Sequence, residues 1–116
     1  MRRDGTTLLD VARAARLVIE FKEGMDKEAF LRDVKTQSAL PHQLMITGEA
    51  VKRLSDDFRC QHRQIPWGLT SGMRDKLIHG YGIVDLNEVW KTADSDVPDL
   101  LSLLEAMLPG KEERED

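Results

Sequence analysis

Between Gly72 and Tyr81 the chain reads Gly72-Met73-Arg74-Asp75-Lys76-Leu77-Ile78-His79-Gly80-Tyr81, crowding a guanidinium, a carboxylate, an ammonium, an imidazole and a phenol into one short run. Such a set suits phosphodiester chemistry. Arginine offers a fixed fork of donors to phosphate oxygens, and histidine takes and returns a proton near neutral pH. Cleavage of RNA uses both. The ribose 2′-hydroxyl must lose a proton as it attacks phosphorus, the charge added to the phosphorane must be stabilised, and the leaving 5′-oxygen must be protonated. No metal is obligatory on that route.

Geometry sets a condition. Five residues on a regular helix place Arg74 and His79 about 140° apart in azimuth, so one straight helix does not aim both at one phosphate. Unwinding of the helix near Gly80 would let His79 swing toward Arg74, and a two-fold dimer would bring a second Arg–His pair alongside. Spacing alone leaves a plainer reading open, with Arg74 and Asp75 in surface ion pairs, His79 facing a helix C-terminus and Tyr81 at the edge of the core.

Other chemistries fail on their residues. His42, His62 and His79 share no metal-ligand spacing, and the single cysteine, Cys60, excludes an intrachain disulfide and any multi-cysteine metal site. No metal site is therefore expected, and Cys60 reads as a small packing residue. Gly68, Gly72, Gly80 and Gly82 follow neither nucleotide-binding fingerprint.

The 116 residues, with 33% charged and 41% hydrophobic side chains, exclude a disordered chain and a membrane span and predict one domain over residues 1–110. The charged tail, residues 111–116, reads as a solvated end. With no signal-like apolar segment after Met1, a cytoplasmic location is expected. The formal net charge is −4, yet from Lys52 to Tyr81 the chain is locally basic, so a phosphate backbone remains a possible partner without strong long-range steering.

The elements that must position these groups are helical. Apolar residues from Leu8 to Phe21 keep the 3, 4 spacing of one helical face and predict a helix over about 7–23, stopped by Gly24. Asp26 stands as N-cap of a short helix whose Ala29, Phe30 and Leu31 face inward. The longest helix is expected over about 36–59, kinked at Pro41 or beginning near Ser38. A fourth starts at Trp67 or Leu69 and ends at Gly80. Asp85 caps a last segment whose apolar stripe includes Trp90, Leu100, Leu103 and Leu104, bent near Pro98 and closed by Pro109-Gly110. Nothing alternates with period two, and the predicted class is all-α, a bundle of four or five helices.

The same residues carry a resemblance. Phe21-Lys22-Glu23-Gly24, Phe30 and Asp33, Gly48-Glu49-Ala50, Ile65-Pro66-Trp67, Gly72-Met73-Arg74-Asp75, Leu77-Ile78-His79-Gly80-Tyr81, Val84-Asp85, Val89-Trp90 and Pro98-Asp99-Leu100 fall in the order and spacing of the HepT-like proteins of the HEPN superfamily. The chain resembles that family from about Arg3 to Leu108. Pro41-His42 and Thr47 depart from its usual pattern, and both lie on the third helix rather than on the motif.

The resemblance implies a helical homodimer acting as toxin of a two-gene toxin–antitoxin module. It would be a metal-independent endoribonuclease with an Rx4HxY motif at a dimer cleft and no cofactor of its own. The implied partner is a small MNT-type nucleotidyltransferase, which would use ATP and Mg to transfer AMP to the motif tyrosine, here Tyr81. Carried over by position, Arg74 would bind and polarise the scissile phosphate, His79 would act as general acid/base, and Asp75 would help orient the pair. Lys76 and Glu49 are secondary candidates, Glu49 as a buried partner for a basic group. Gly48 suits close helix packing, and Trp67 and Trp90 suit core or dimer anchoring. The rival reading is a non-catalytic helical subunit that binds RNA or nucleotide beside a nucleotidyltransferase. A plain helical interaction protein is a third.

Overall fold

The computed structural model describes residues 2–108, the side chains of Arg2 and Tyr81 excepted. The Pro109-Gly110 stop and the tail at 111–116 lie outside the described residues. All elements are helical, and the described residues contain no strand.

Helix α1 spans Arg2–Phe21, starting five residues before its apolar pattern predicts and ending two residues short of it. The reason for the early start is Asp4. Its carboxylate is buried at 2% exposure and accepts hydrogen bonds from the Ser55 backbone N–H (2.9 Å) and hydroxyl (2.8 Å), which ties the first turn to the middle of the chain. Phe21, expected on the inner face, is exposed, and Gly24 turns the chain with φ +75°. Asp26 caps α2 (Lys27–Leu31) by accepting from the Ala29 N–H; Phe30 is buried as expected, but Leu31 is exposed.

Helix α3 spans Val34–Arg53 and differs from expectation at both ends. It starts two residues early because Asp33 accepts from the Lys35 N–H and the Thr36 hydroxyl, and it runs on through the buried Pro41 instead of starting near Ser38. It stops before Arg59 because Leu54 is extended and Ser55 caps a separate helix, α4 (Asp56–Gln61), by accepting from the Phe58 N–H. Asp56 and Asp57 in that first turn complement the helix dipole. Cys60, read as a packing residue, is exposed.

Helix α5 (Trp67–Gly80) matches its predicted limits and passes into a 3₁₀ turn over Tyr81–Ile83. Asp85 caps α6 (Leu86–Lys91), after which Thr92–Asp96 widen to a π-helix before α7 (Val97–Glu105). The widening sits where a proline dictates it, since Pro98 has no N–H to donate to the preceding turn. Leu103, placed in the apolar stripe by its spacing, is exposed.

Helix α3 lies between α1 and α5, and α1 packs on α7. One part of the core gathers Phe30, Leu40, Leu44, Leu77, Trp90 and Val97, with the Phe30 and Trp90 rings 5.3 Å apart. The other gathers Leu8, Val11, Val51, Leu54, Trp67 and Leu104. Trp67 and Trp90 are thus core residues, and the Trp67 indole donates to the His62 carbonyl at 3.2 Å.

Candidate functional site

The α3–α5 seam closes around a residue without a side chain. A Cβ on Gly48 would stand 2.5 Å from the Thr70 carbonyl oxygen and closer still to the Arg74 Cβ, so the two helices meet there backbone to backbone. Arg74 leaves α5 directly over this point. The next residue of α3, Glu49, accepts from Arg74 Nε at 2.6 Å, and Arg74 Nη1 donates to Asp75 Oδ1 at 2.9 Å. Lys52, nearly one turn further along α3, donates to both Asp75 oxygens at 3.0 and 3.3 Å.

The four charges form a clasp with no net charge. Hydrogen bonds to Asp75 and then Glu49 raise the Arg74 guanidinium above its ordinary range. Asp75 is held below the usual carboxylate range by Arg74 first and Lys52 second. The guanidinium side chain is 22% exposed, and these bonds engage two of its five N–H donors. It is held and charged with three N–H donors left over, enough for an arginine to receive a phosphate bidentately.

His79 is exposed in the last turn of α5. It lines a hollow of about 320 Å³ with Lys76, Gly80, Ile83, Val84 and Glu88. Lys76, whose ammonium pairs with Glu88 at 3.0 Å, is shared with an adjoining groove of about 510 Å³ that runs back along α5 past Gly72 and Gly68.

The sequence leaves room for the helix to unwind near Gly80 and release His79 from the regular screw. The helix keeps that screw: the backbone stays α-helical to Gly80 and changes only at Tyr81. Among the described residues no hydrogen bond joins Arg74 to His79. Asp75 relates them. It lies one turn before His79, about 40° away in azimuth, and it draws the guanidinium toward that strip of the helix. The Tyr81 backbone opens the 3₁₀ turn, and its side chain lies outside the described residues.

Two expectations change. Glu49 does partner a basic group, but at 49% side-chain exposure it is not buried. The locally basic stretch from Lys52 to Tyr81 is largely neutralised in three dimensions by acids from outside it, since Arg74 meets Glu49, Lys76 meets Glu88 and Arg53 meets Asp10. Sequence reasoning missed Lys52, counted only as one charge of that stretch. The signal was its spacing from Gly48 and Glu49, which puts all three on one side of α3. No group of three or more His, Cys, Asp or Glu among the described residues is placed to hold a metal ion, and no described helix is long and apolar enough to cross a membrane.

The model of a family described as ribonuclease HepT-like matches residues 11–107. A Thermococcus cleftensis protein named "Probable ribonuclease HepT" is 44% identical over 100 residues, covering 86% of this chain and 91% of the relative. A candidate RNase of Methanocaldococcus jannaschii is 35% identical over 101 residues, 87% of this chain and 84% of the relative. Another, from Caldanaerobacter subterraneus subsp. tengcongensis, is 38% identical over 90 residues, 78% and 80% of the two chains. No solved structure matches the chain.

Proposed function

Because this chain belongs to the ribonuclease HepT-like family, we propose that it is a metal-independent endoribonuclease in which Arg74 binds the scissile phosphate and His79 transfers the proton. The observation that carries this reading is the clasp on Arg74. A guanidinium gripped at Nε by Glu49 and at Nη1 by Asp75 is already oriented when a phosphate arrives, and three further N–H groups are left to donate to its non-bridging oxygens. As the 2′-oxygen attacks and charge accumulates on those oxygens, a fixed cation stabilises it without reorganising.

The imidazole has two tasks, taking the 2′-hydroxyl proton and delivering one to the leaving 5′-oxygen, which lie on opposite sides of the phosphorus. A homodimer answers this by offering two His79 side chains to one cleft, and it supplies the approach of Arg74 to His79 that one straight helix does not. RNA would approach His79 at the hollow beside the end of α5, which Arg74 of the same protomer does not line, so the guanidinium would come from across the dimer cleft.

In this reading the protein is the toxin of a two-gene module, and its partner is an MNT-type nucleotidyltransferase that silences it by transferring AMP from ATP, with Mg, onto Tyr81. The purified protein should cut RNA in EDTA, and Arg74→Ala and His79→Ala should each abolish cutting. Undiminished cleavage by His79→Ala would end the assignment. A saturable complex with RNA that stays intact on prolonged incubation would favour the non-catalytic binding subunit instead.

A further inference from the structure

Lys52 and Arg53 are adjacent cations at the end of α3, and the structure sends them to different neighbours. Arg53 pairs with Asp10 of α1 at 3.4 Å, a contact between exposed groups remote from the motif. Lys52 crosses to α5 and takes both oxygens of Asp75, one of which also receives Arg74 Nη1. Asp75 is therefore held from two sides, by an ammonium on one helix and a guanidinium on its own.

We propose that Lys52 is a positioning residue for the cleavage reaction, acting through Asp75 to hold the Arg74 guanidinium in its phosphate-receiving orientation. The inference rests on the ribonuclease reading above. A carboxylate on the exposed face of a helix rotates freely unless both oxygens are engaged, and Lys52 engages both. With the carboxylate locked, Oδ1 faces Nη1. Without Lys52, Asp75 is restrained by the single Arg74 Nη1 bond, its second oxygen is given over to water, and the carboxylate and guanidinium can swing together about Nε. The cation also balances the clasp, because Glu49, Asp75 and Arg74 alone would sum to −1 beside an anionic substrate. Lys52 does not need to touch RNA for any of this.

The test compares Lys52→Met, Lys52→Arg and Asp75→Asn, alone and combined, in the full chain. Lys52→Met should fold with an unchanged melting temperature and lose about 10- to 100-fold in kcat, a loss that persists at high salt, where the weaker RNA binding expected from a clasp of charge −1 is screened and KM changes little. Lys52→Arg, which can grip the same carboxylate, should restore most of the rate. In the Asp75→Asn background Lys52→Met should cost nothing further, because the path through Asp75 is already cut. A rise in KM with kcat intact would mean that Lys52 only attracts RNA, and it would overturn the proposal, as would an equal loss with and without Asp75.

A readout independent of catalysis separates this inference from the function it rests on. The carboxyl midpoint of Asp75, followed by carbon NMR, should rise in Lys52→Met and return in Lys52→Arg. A protein that cuts no RNA removes the ribonuclease reading while leaving that titration to judge the contact. An unmoved midpoint in Lys52→Met overturns the positioning role even if the wild type is fully active.

Discussion

Arg74 stands where the side chain of Gly48 would be: a Cβ at position 48 would overlap the Arg74 Cβ and lie 2.5 Å from the Thr70 carbonyl oxygen. The cation that receives phosphate in our reading is thus seated by a missing side chain on the neighbouring helix. Gly48→Ala tests this directly. Alanine is worth up to about 1 kcal/mol more than glycine in a helix interior, but overpacking costs about 1–3 kcal/mol when the obstacle is backbone, as Thr70 is here. Urea denaturation should show a net loss of stability, and RNA cleavage should fall further than the folded fraction does. A variant as stable and active as the wild type would mean that the α3–α5 seam has slack.

Glu49→Gln should separate affinity from rate. Glutamine keeps the length and an acceptor oxygen, but the clasp goes from neutral to +1, so RNA should bind more tightly at low salt. The neutral acceptor holds Nε less firmly, and kcat should drop about 10-fold as the guanidinium loosens. Steady-state kinetics at two salt concentrations checks both halves. A kcat that stays level or rises would show that Glu49 restrains Arg74 rather than orienting it.

Much of this arrangement is legible in the sequence. The limits of α5, the caps Asp26 and Asp85 and the core positions of Phe30, Trp67 and Trp90 follow from periodicity and capping chemistry. The break between α3 and α4 is hidden because Leu54 and Phe58 continue the apolar spacing across it. The local signal is the cap, Ser55 followed by Asp56 and Asp57, and it is fixed in place by a partner the sequence does not show, Asp4, 51 residues away in the chain. Lys52 was obscured in the same way, since a lysine among several reads as solvated charge until a second helix brings Asp75 against it. Spacing within one helix is printed in the sequence; which faces meet across a seam depends on the whole core.

The Asp4–Ser55 bond makes stability depend on pH. Two hydrogen bonds from Ser55 hold the Asp4 carboxyl below its ordinary value of 3.8, against the opposing effect of burial. A depressed folded value means stability that is fully present above the unfolded value and lost as pH falls through the folded one. Asp4→Ala should therefore cost about 2 kcal/mol at neutral pH, the scale of hydrogen bonds to a charged acceptor. The gap between wild type and variant should narrow progressively in acid, below the ordinary carboxylate value. Urea melts across that range decide it, and a gap that does not change with pH would put the stabilisation in packing instead.

Modification of Tyr81 should silence the protein through charge and position together. The tyrosine opens the 3₁₀ turn immediately after Gly80, two residues beyond His79 and at the negative end of the α5 dipole. Each AMP unit would add a phosphodiester charge at that point, where the clasp around Arg74 has no surplus positive charge to offset it, so an incoming RNA phosphate would be repelled and the approach to His79 filled. Incubation with a cognate nucleotidyltransferase, ATP and Mg should add AMP-sized mass and remove RNA cutting in step. Tyr81→Phe should take no adduct and keep cutting in the presence of the partner. Adducts that persist in Tyr81→Phe would move the acceptor elsewhere, and an adduct on Tyr81 that leaves cleavage intact would separate the modification from control of the site.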